Sequence, residues 1–509
     1  MMTKERSTAA MLAILFHLHL PHLVNGWCSQ TELSFKLRKP TMCTPLPVSY
    51  SDKSIQLQAS STSLTATLTK MIHWRGEKSH GNSLNFRQLE FTSAFESSVL
   101  DPDSDIVSAS VKFSPSLSSN FEAAKEMTNY EVHAYENALQ YVSIRNYEAD
   151  NNLTDIITSN DVLIRSVKRC SLIRSLFEIV ADGDTFEDLA HNTIMSGHLD
   201  DMMQGGKNSE STWAVRLRQY GSSSKPEKQA QYGKKMRSPM SQEIAAIDEM
   251  KDLFIKFTGA VDLKDADINL YLFEGLGGEK YNGRKVIARL MTRGANTSSI
   301  APKTRICVTN TPLCPLAAFT MCNVARIRPG LRILDPYAGS CAILLAAAMI
   351  EPSVKSVGIE IAHNGQVNRD DIMKDFESRN LALPAAIIRG DSSQDKVRRE
   401  AMESVENKPF DLIITDPPYG IREKTGFCVD PPVVSVVKCI SEDRRNGNRL
   451  LKKGGRLVAF VPNQHGDDIQ LDMPSDADLQ KAGLRFCQML EQPLNDSLSR
   501  WLVEYLCIE

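Results

Sequence analysis

The stretch Phe410 to Glu423, Phe-Asp-Leu-Ile-Ile-Thr-Asp-Pro-Pro-Tyr-Gly-Ile-Arg-Glu, constrains the fold more than any other part of the chain. Its apolar run, Phe410 to Thr415, has the length and unbroken hydrophobicity of a strand buried on both faces of a parallel sheet. The run stops at Asp416-Pro417-Pro418-Tyr419. Two consecutive prolines cannot continue a strand or a helix, so the backbone is locked in an extended form just past the strand's carboxyl end. In open α/β sheets that edge is where ligands bind. A carboxylate, rigid carbonyls and an aromatic ring at such a corner suit a planar base bearing an exocyclic amine.

The sequence around this corner repeats the same plan. Leu331 to Leu334 reads as a first strand, closed by Asp335-Pro336-Tyr337-Ala338-Gly339-Ser340-Cys341, with Ala342 to Ile350 as its helix. Val354 to Ile361 is a second strand with Glu360 at its tip, and Asn364 to Asn380 is helical. Ala385 to Ile388 ends in Gly390-Asp391-Ser392, Phe410 to Thr415 is the fourth strand, Arg456 to Val461 a fifth, and Trp501 to Ile508 closes the sheet. Alternating strands and helices of this kind make a doubly wound, Rossmann-like α/β domain. A helix from Leu316 to Ala325 precedes it.

Four acids then fall in register at the tips of successive strands: Asp335, Glu360, Asp391 and Asp416. Asp335, Pro336 and the small residues Ala338, Gly339 and Ser340 permit a close backbone approach. Glu360, followed by Ile361, is placed to accept both hydroxyls of a ribose, and Asp391 with Ser392 to accept an adenine amino group. The first loop lacks a phosphate-cradling glycine array and begins with an acid. A carboxylate there repels a pyrophosphate and attracts a sulfonium or an ammonium group. The expected cofactor is therefore S-adenosylmethionine rather than a nicotinamide dinucleotide. Asp416, Pro417, Pro418 and Tyr419 are the expected catalytic residues: a carboxylate and a carbonyl for the two N–H groups of an amine, and a ring to stack on an extruded base.

These motifs resemble those of class I, Rossmann-like methyltransferases. The extended form Asp416-Pro-Pro-Tyr-Gly-Ile-Arg422-Glu423 is similar to the tRNA guanosine N2-methyltransferases that modify the tenth tRNA position. The resemblance covers residues 300–509 well, and more faintly Arg165 to Leu189 and the segment before Pro302. It implies an S-adenosylmethionine-dependent enzyme, a tRNA substrate, an N-terminal THUMP-type RNA-binding module and a small zinc-containing activator subunit. Arg422 and Glu423 are then orienting or substrate-edge residues. Cys341 departs from the family's usual small residue at that point of the loop. Two alternatives stand beside this function: an amino methyltransferase acting on ribosomal RNA or DNA, and a non-catalytic RNA-binding subunit retaining the fold.

The first half is expected to be an α+β RNA-binding domain over residues 75–300, ahead of the methyltransferase domain at 301–509. Phe121 to Tyr141 reads as a helix, and Asp161 to Val180 as one amphipathic element ending at a turn, Asp182-Gly183. Thr185 caps a helix, with Asp188 as an approximate capping-box partner. Trp213 to Tyr220 alternates like a strand, carrying Arg216 and Arg218, and runs into Lys225, Lys228, Lys234, Lys235 and Arg237 around Tyr232. Basic residues with an interleaved aromatic suit a phosphate backbone and an unstacked base. A helix from Ser241 to Phe257 is expected to bury Ile244, Ile247, Met250, Leu253 and Ile255, with strands to follow at Ala266 to Glu274 and Arg284 to Thr292.

Bulk properties exclude little else. A net charge of −3 over 509 residues requires any basic surface to be local. The 11 cysteines are scattered without a C-x-x-C pair, so neither a metal site nor a disulfide framework is expected. No apolar run reaches the roughly 20 residues of a membrane span. Residues 1–70 stand apart. Lys4 and Arg6 precede the apolar run Ala9 to Val24, and a Ser/Thr-rich stretch with Lys36, Arg38, Lys39 and few acids follows. This order resembles the signal-plus-transit leader of proteins imported into secondary plastids. The alternatives are a disordered extension, or a start codon set too far upstream, and a cytoplasmic protein.

Overall fold

The described residues form two seven-stranded sheets and the helices packed on them. The structure, a computed structural model, describes residues 70–75, 83–99, 110–113, 139–145, 160–198, 211–219, 240–276, 283–362, 367–419, 430–464 and 467–509. In the first half, chain order runs β1 (Lys70–Trp74), α1 (Arg87–Val99), β2 (Ser110–Phe113), β3 (Leu139–Arg145), α2 (Asn160–Arg169) and β4 (Ile173–Gly183). Then come α3 (Phe186–Met195), β5 (Trp213–Gln219), α4 (Met240–Glu249), α5 (Lys251–Phe254), β6 (Ile268–Glu274) and β7 (Lys285–Arg293). The sheet order is β2-β3-β1-β4-β7-β6-β5, antiparallel except for the parallel β5–β6 pair. The Arg216 and Arg218 strand therefore forms an edge.

Several expectations for this half change. Asp161 to Val180 is not one element but a helix and a strand, because the chain turns at Cys170 and Ser171. Glu90 of α1 holds that turn: its carboxylate accepts from the backbone N–H groups of Ser171 and Leu172, each at 2.8 Å. Within Phe121 to Tyr141, Leu139 to Tyr141 belong to β3, where they pair with β1. The remainder of that expected helix lies outside the described residues. The Ser241 to Phe257 helix is interrupted at Met250, and Ile244 and Ile255 face solvent at 51% and 81% exposure, so the apolar face is narrower than its periodicity suggested. The Thr185 box is complete. Its hydroxyl accepts from Asp188 N at 3.0 Å, and Asp188 accepts from Thr185 N at 3.2 Å, the shorter acid still reaching.

The second half follows the doubly wound plan. After α6 (Pro315–Val324) come β8 (Arg332–Asp335), α7 (Ala342–Ile350), β9 (Lys355–Glu360), α8 (Arg369–Glu377), β10 (Ala386–Arg389) and α9 (Asp395–Glu403). The chain continues through β11 (Phe410–Thr415), α10 (Pro432–Arg445), β12 (Leu451–Gln464), α11 (Asp476–Ala482), β13 (Leu484–Asn495) and β14 (Leu498–Cys507). The order is β10-β9-β8-β11-β12-β14-β13. The strands β8 to β12 run parallel, and β14 returns antiparallel between β12 and β13. The order reverses between β8 and β11, and such a switch point opens a crevice at the strands' carboxyl ends. Every residue of β11 is buried, as its composition required. The strand β13 and the helices α9 to α11 had not been expected.

The two halves meet on a polar seam within an apolar core. Phe86, Leu172, Ala295 and Ile300 share a cluster with Phe319, Ile414, Phe460 and Leu502. Inside it, the fully buried Glu90 also accepts from the Ser171 hydroxyl at 2.7 Å and from the Asn323 amide of α6 at 3.0 Å. Burial raises the Glu90 carboxyl above its ordinary range, while these donors oppose that rise. Arg169 of α2 donates to Asn323 Oδ1 at 2.8 Å and to the Ile327 carbonyl at 2.8 Å. Nearby, Arg326 bridges Glu96 of α1 and Glu504 of β14, each at 2.6 Å. No helix among the described residues is long and apolar enough to cross a membrane.

Candidate functional site

The switch point brings the four strand-tip acids to one edge of the sheet. Asp335 ends β8 and is 1% exposed. Its Oδ1 accepts from the Thr415 hydroxyl at 2.8 Å, which ties the tip of β8 to the tip of β11, and from Tyr337 N at 3.1 Å. Burial, together with the neighbouring Asp416 and Glu360 carboxylates, pushes the Asp335 carboxyl from 3.8 up to about 7 despite these two donors. A pocket edge that raises a carboxyl this far favours a ligand bringing positive charge.

The loop after β8 is shaped for close approach. Ala338 and Ser340 are buried, and Ala338 N donates to the Ile359 carbonyl of β9 at 2.9 Å. Gly339 takes a φ of +51°, and a Cβ there would meet only Thr309 Cγ2, at 3.9 Å, so its outer side is open. Cys341, the residue that departs from the usual small one, caps α7 at a φ of +62° and is fully buried. A non-glycine residue in that conformation stores strain of the order of 1 kcal/mol. Arg305, also buried, donates to the Ser340 carbonyl and fixes the loop from behind.

Glu360 stands at the tip of β9 with each carboxylate oxygen oriented by a backbone donor. Gly339 N lies at 2.8 Å from one oxygen and Ala362 N at 2.7 Å from the other. Each oxygen keeps a lone pair for a hydroxyl. Ile361 beside it is 54% exposed at the rim. After β10, Asp391 accepts from Ser393 N at 2.9 Å, while the buried Ser392 presents its carbonyl to Arg398 at 3.1 Å. Arg398, 2% exposed, is gripped in turn by Asp443 at 2.7 Å and by Glu442 at 2.7 Å. Leu334, Pro336, Tyr337, Ile359, Ser392 and Arg398 help line a small, mostly apolar pocket.

At the end of β11, Pro417 is buried and Asp416, Pro418 and Tyr419 are half-buried. Tyr419 differs from its expected role in one respect: its hydroxyl is turned inward, donating to Asp416 Oδ1 at 2.8 Å and accepting from Arg500 of β14 at 3.2 Å. The ring's direction is therefore set by Asp416 of its own loop and by Arg500 of β14. Burial, then the Asp416 charge, raises the phenol well above its ordinary value. Arg500 would lose affinity for its proton through burial, but Tyr419 and Asp416 reverse that and raise it.

The remaining expected residues do not gather here. Arg216 and Arg218 lie on β5, in the other sheet. Arg216 donates to the Val215 carbonyl at 2.8 Å and to the Leu263 carbonyl, and Arg218 lies 5.2 Å over the Tyr271 ring. Lys234, Lys235, Arg422 and Glu423 fall outside the described residues. Thr415, Arg398 and Arg500 were missed by sequence reasoning. For Arg500 the available signal was a charge abutting an otherwise apolar strand.

Residues 302–430 match the family described as RMKL-like, methyltransferase domain. The tRNA (guanine(10)-N(2))-methyltransferase of Xenopus laevis is 26% identical over 291 residues, which are 53% of this chain and 55% of the relative. The tRNA (guanine(10)-N2)-dimethyltransferase of Methanothermobacter thermautotrophicus is 32% identical over 111 residues, 22% of this chain and 29% of the relative. The chain thus spans about half the length, or less, of these curated relatives. Among solved structures, TrmN from Thermus thermophilus superposes with a TM-score of 0.35 at 15% identity, covering 86% of this chain and 99% of that one.

Proposed function

We propose that this chain is a methyltransferase that moves the methyl group of S-adenosylmethionine to the exocyclic N2 amine of a guanosine in tRNA. The observation that carries this function is the Asp416-Pro417-Pro418-Tyr419 corner at the tip of β11, joined through Thr415 to the buried Asp335 of β8. The names of the two relatives above support the choice of tRNA and of guanine N2.

The acids at the strand tips suit the cofactor: Asp335 its positive charge, Glu360 its ribose, Asp391 and Ser392 its adenine. Pro336, Ala338, Gly339, Ser340 and Ile361 supply the surrounding surface. When bound, the cofactor provides an electrophilic methyl on a sulfur that departs with the electron pair of the broken C–S bond. The protein's task is then placement, which by itself accounts for a large share of such catalysis. Guanine N2 is a poor nucleophile because its lone pair is delocalised into the ring. Asp416 accepts one of its N–H groups and the Pro417 carbonyl the other, drawing the nitrogen toward a pyramidal shape with the lone pair aimed at the methyl. Once the C–N bond forms, the nitrogen carries a surplus proton, which Asp416 takes and passes to water. Tyr419 presents its ring to the base extruded from the RNA.

The first half belongs to this proposal as a THUMP-like RNA-binding module, with Arg216, Arg218, Lys234 and Lys235 on the phosphate backbone and Arg422 and Glu423 at the substrate edge. So do a small zinc-containing activator subunit and an organellar, plastid-directing leader in residues 1–70. Methyl transfer from labelled cofactor into total tRNA, read as N2-methylguanosine by nucleoside mass spectrometry, tests the activity. Incorporation unchanged in Asp416→Ala refutes the catalytic assignment, and transfer into DNA alone refutes the tRNA substrate. Transfer that appears only when a zinc-containing partner is added supports the activator. A fluorescent fusion of residues 1–70 tests import, and a diffuse cytosolic signal refutes it.

A further inference from the structure

Arg500 reaches the Asp416 corner from β14, 81 residues along the chain from Tyr419. It is 5% exposed. Its Nε donates to Oε1 of the buried Gln492 at 2.7 Å, its Cζ lies 3.9 Å over the Phe460 ring, and its Nη1 donates to the Tyr419 hydroxyl at 3.2 Å. The Asp416 carboxylate is farther away, with Oδ2 at 3.8 Å from Nη1. That separation is too long for a charge-assisted hydrogen bond, so Arg500 acts on Asp416 chiefly through the phenol.

A guanidinium can donate but not accept. The Tyr419 oxygen must therefore accept from Arg500, and its single O–H is left to point at Asp416 Oδ1, where it is found at 2.8 Å. The chain of donation has one direction, from Arg500 to Tyr419 to Asp416. Without Arg500 the hydroxyl is free to rotate and to accept from water or from the amine itself. Burying a guanidinium against an aromatic ring and a neutral amide, with its carboxylate partner as far as 3.8 Å, costs stability that a hydrophobic residue would not. A role at the site accounts for its retention.

We propose that Arg500 is a positioning residue for methyl transfer: it commits the Tyr419 hydroxyl to Oδ1 of Asp416 and so fixes the orientation of the carboxylate that accepts from the incoming amine. The inference rests on the function proposed above and adds to it the origin of the carboxylate's orientation. Its effect falls on the transfer rate and not on cofactor affinity, because β14 lies on the opposite side of β11 from the tips of β8, β9 and β10.

The test uses the full chain, unmodified tRNA and labelled S-adenosylmethionine. Single-turnover rates are measured at saturating cofactor, and cofactor affinity by calorimetry, for the wild type, Arg500→Met, Arg500→Lys, Tyr419→Phe and the Arg500→Met/Tyr419→Phe double variant. Arg500→Met is expected to slow transfer by about tenfold or more while changing cofactor affinity by less than about twofold. Arg500→Lys, which keeps a donor and the charge, recovers part of the rate and also serves if the Met variant fails to fold. Because both residues act through one chain, the double variant is no slower than the slower single variant, whereas independent structural damage would multiply. Rates for the Met and Lys variants within about twofold of wild type, or multiplying losses, overturn the inference while the function stands. A wild-type chain that methylates no RNA, with or without a zinc-containing partner, overturns the function and the inference with it.

Discussion

Replacing Asp335 by Asn probes the electrostatics of the site most directly. In the free protein the carboxyl holds its proton up to about pH 7, against 3.8 ordinarily. A raised carboxyl pKa means that the folded state binds the proton more tightly than the unfolded chain, so stability falls as pH rises from about 4 to about 7 and is level above that. At about 1.4 kcal/mol per pH unit, the anion costs the free fold about 4 kcal/mol once it is fully formed. A bound sulfonium needs that anion. Since about one molecule in eleven carries it at pH 6 and about ten in eleven at pH 8, cofactor affinity should strengthen about tenfold between those values. Calorimetric titration of S-adenosylmethionine at pH 6, 7 and 8, repeated in buffers of different ionisation enthalpy, measures both the affinity and the proton released, about half a proton per site at pH 7. In Asp335→Asn the affinity should be weaker at pH 8 and nearly flat across the range, with no proton release. The demethylated product, lacking the sulfonium charge, should show a smaller slope in the wild type. A wild-type affinity independent of pH, or an equal slope in the Asn variant, would refute the assignment of positive charge to this corner.

Three further outcomes are open to measurement. Asp416→Asn should slow transfer by about 10² to 10⁴-fold in a single-turnover assay while cofactor affinity stays within a few-fold, since the substrate amine loses its charged acceptor and the group that takes its proton. Glu90→Gln places an amide where two acceptor oxygens face buried N–H groups, and should cost about 1–3 kcal/mol in urea unfolding; an unchanged midpoint would mean that the seam tolerates an unmatched donor. Gly358→Ala sets a Cβ at 2.8 Å from Ala338 Cβ, so the loop after β8 must shift, and both the melting temperature and cofactor affinity should fall together.

The parts of this fold that sequence reveals are those whose burial is two-sided. β11 is buried at every position, so its apolar run could only be a central strand, and α7 was bounded correctly by its Ala- and Leu-rich stretch. β13 shows the opposite case. Among the described residues it pairs only with β14, is largely half-exposed and carries Pro493, so it offers neither alternation nor a continuous apolar run. The 161–180 segment misled because the helix α2 and the strand β4 are both apolar, and the turn between them is held by a residue more than 80 positions away rather than by a local Gly or Pro. The site divides the same way. Strand-tip acids announce themselves by following apolar runs, whereas Arg500, Arg398 and Thr415 gain their meaning from strands and helices that are distant in sequence.

The seam around Glu90 also sets a length. Helix α1 is bonded on one side to the turn that begins β4 and on the other to Asn323 of α6, and Arg326 ties it to β14 through Glu96 and Glu504. The separation between the edge strand β5 and the Asp416 corner is thus fixed by buried contacts, not by a tether. Under the proposed function, an RNA held at that edge strand would present to the corner the nucleotide lying at this set distance, as in a caliper.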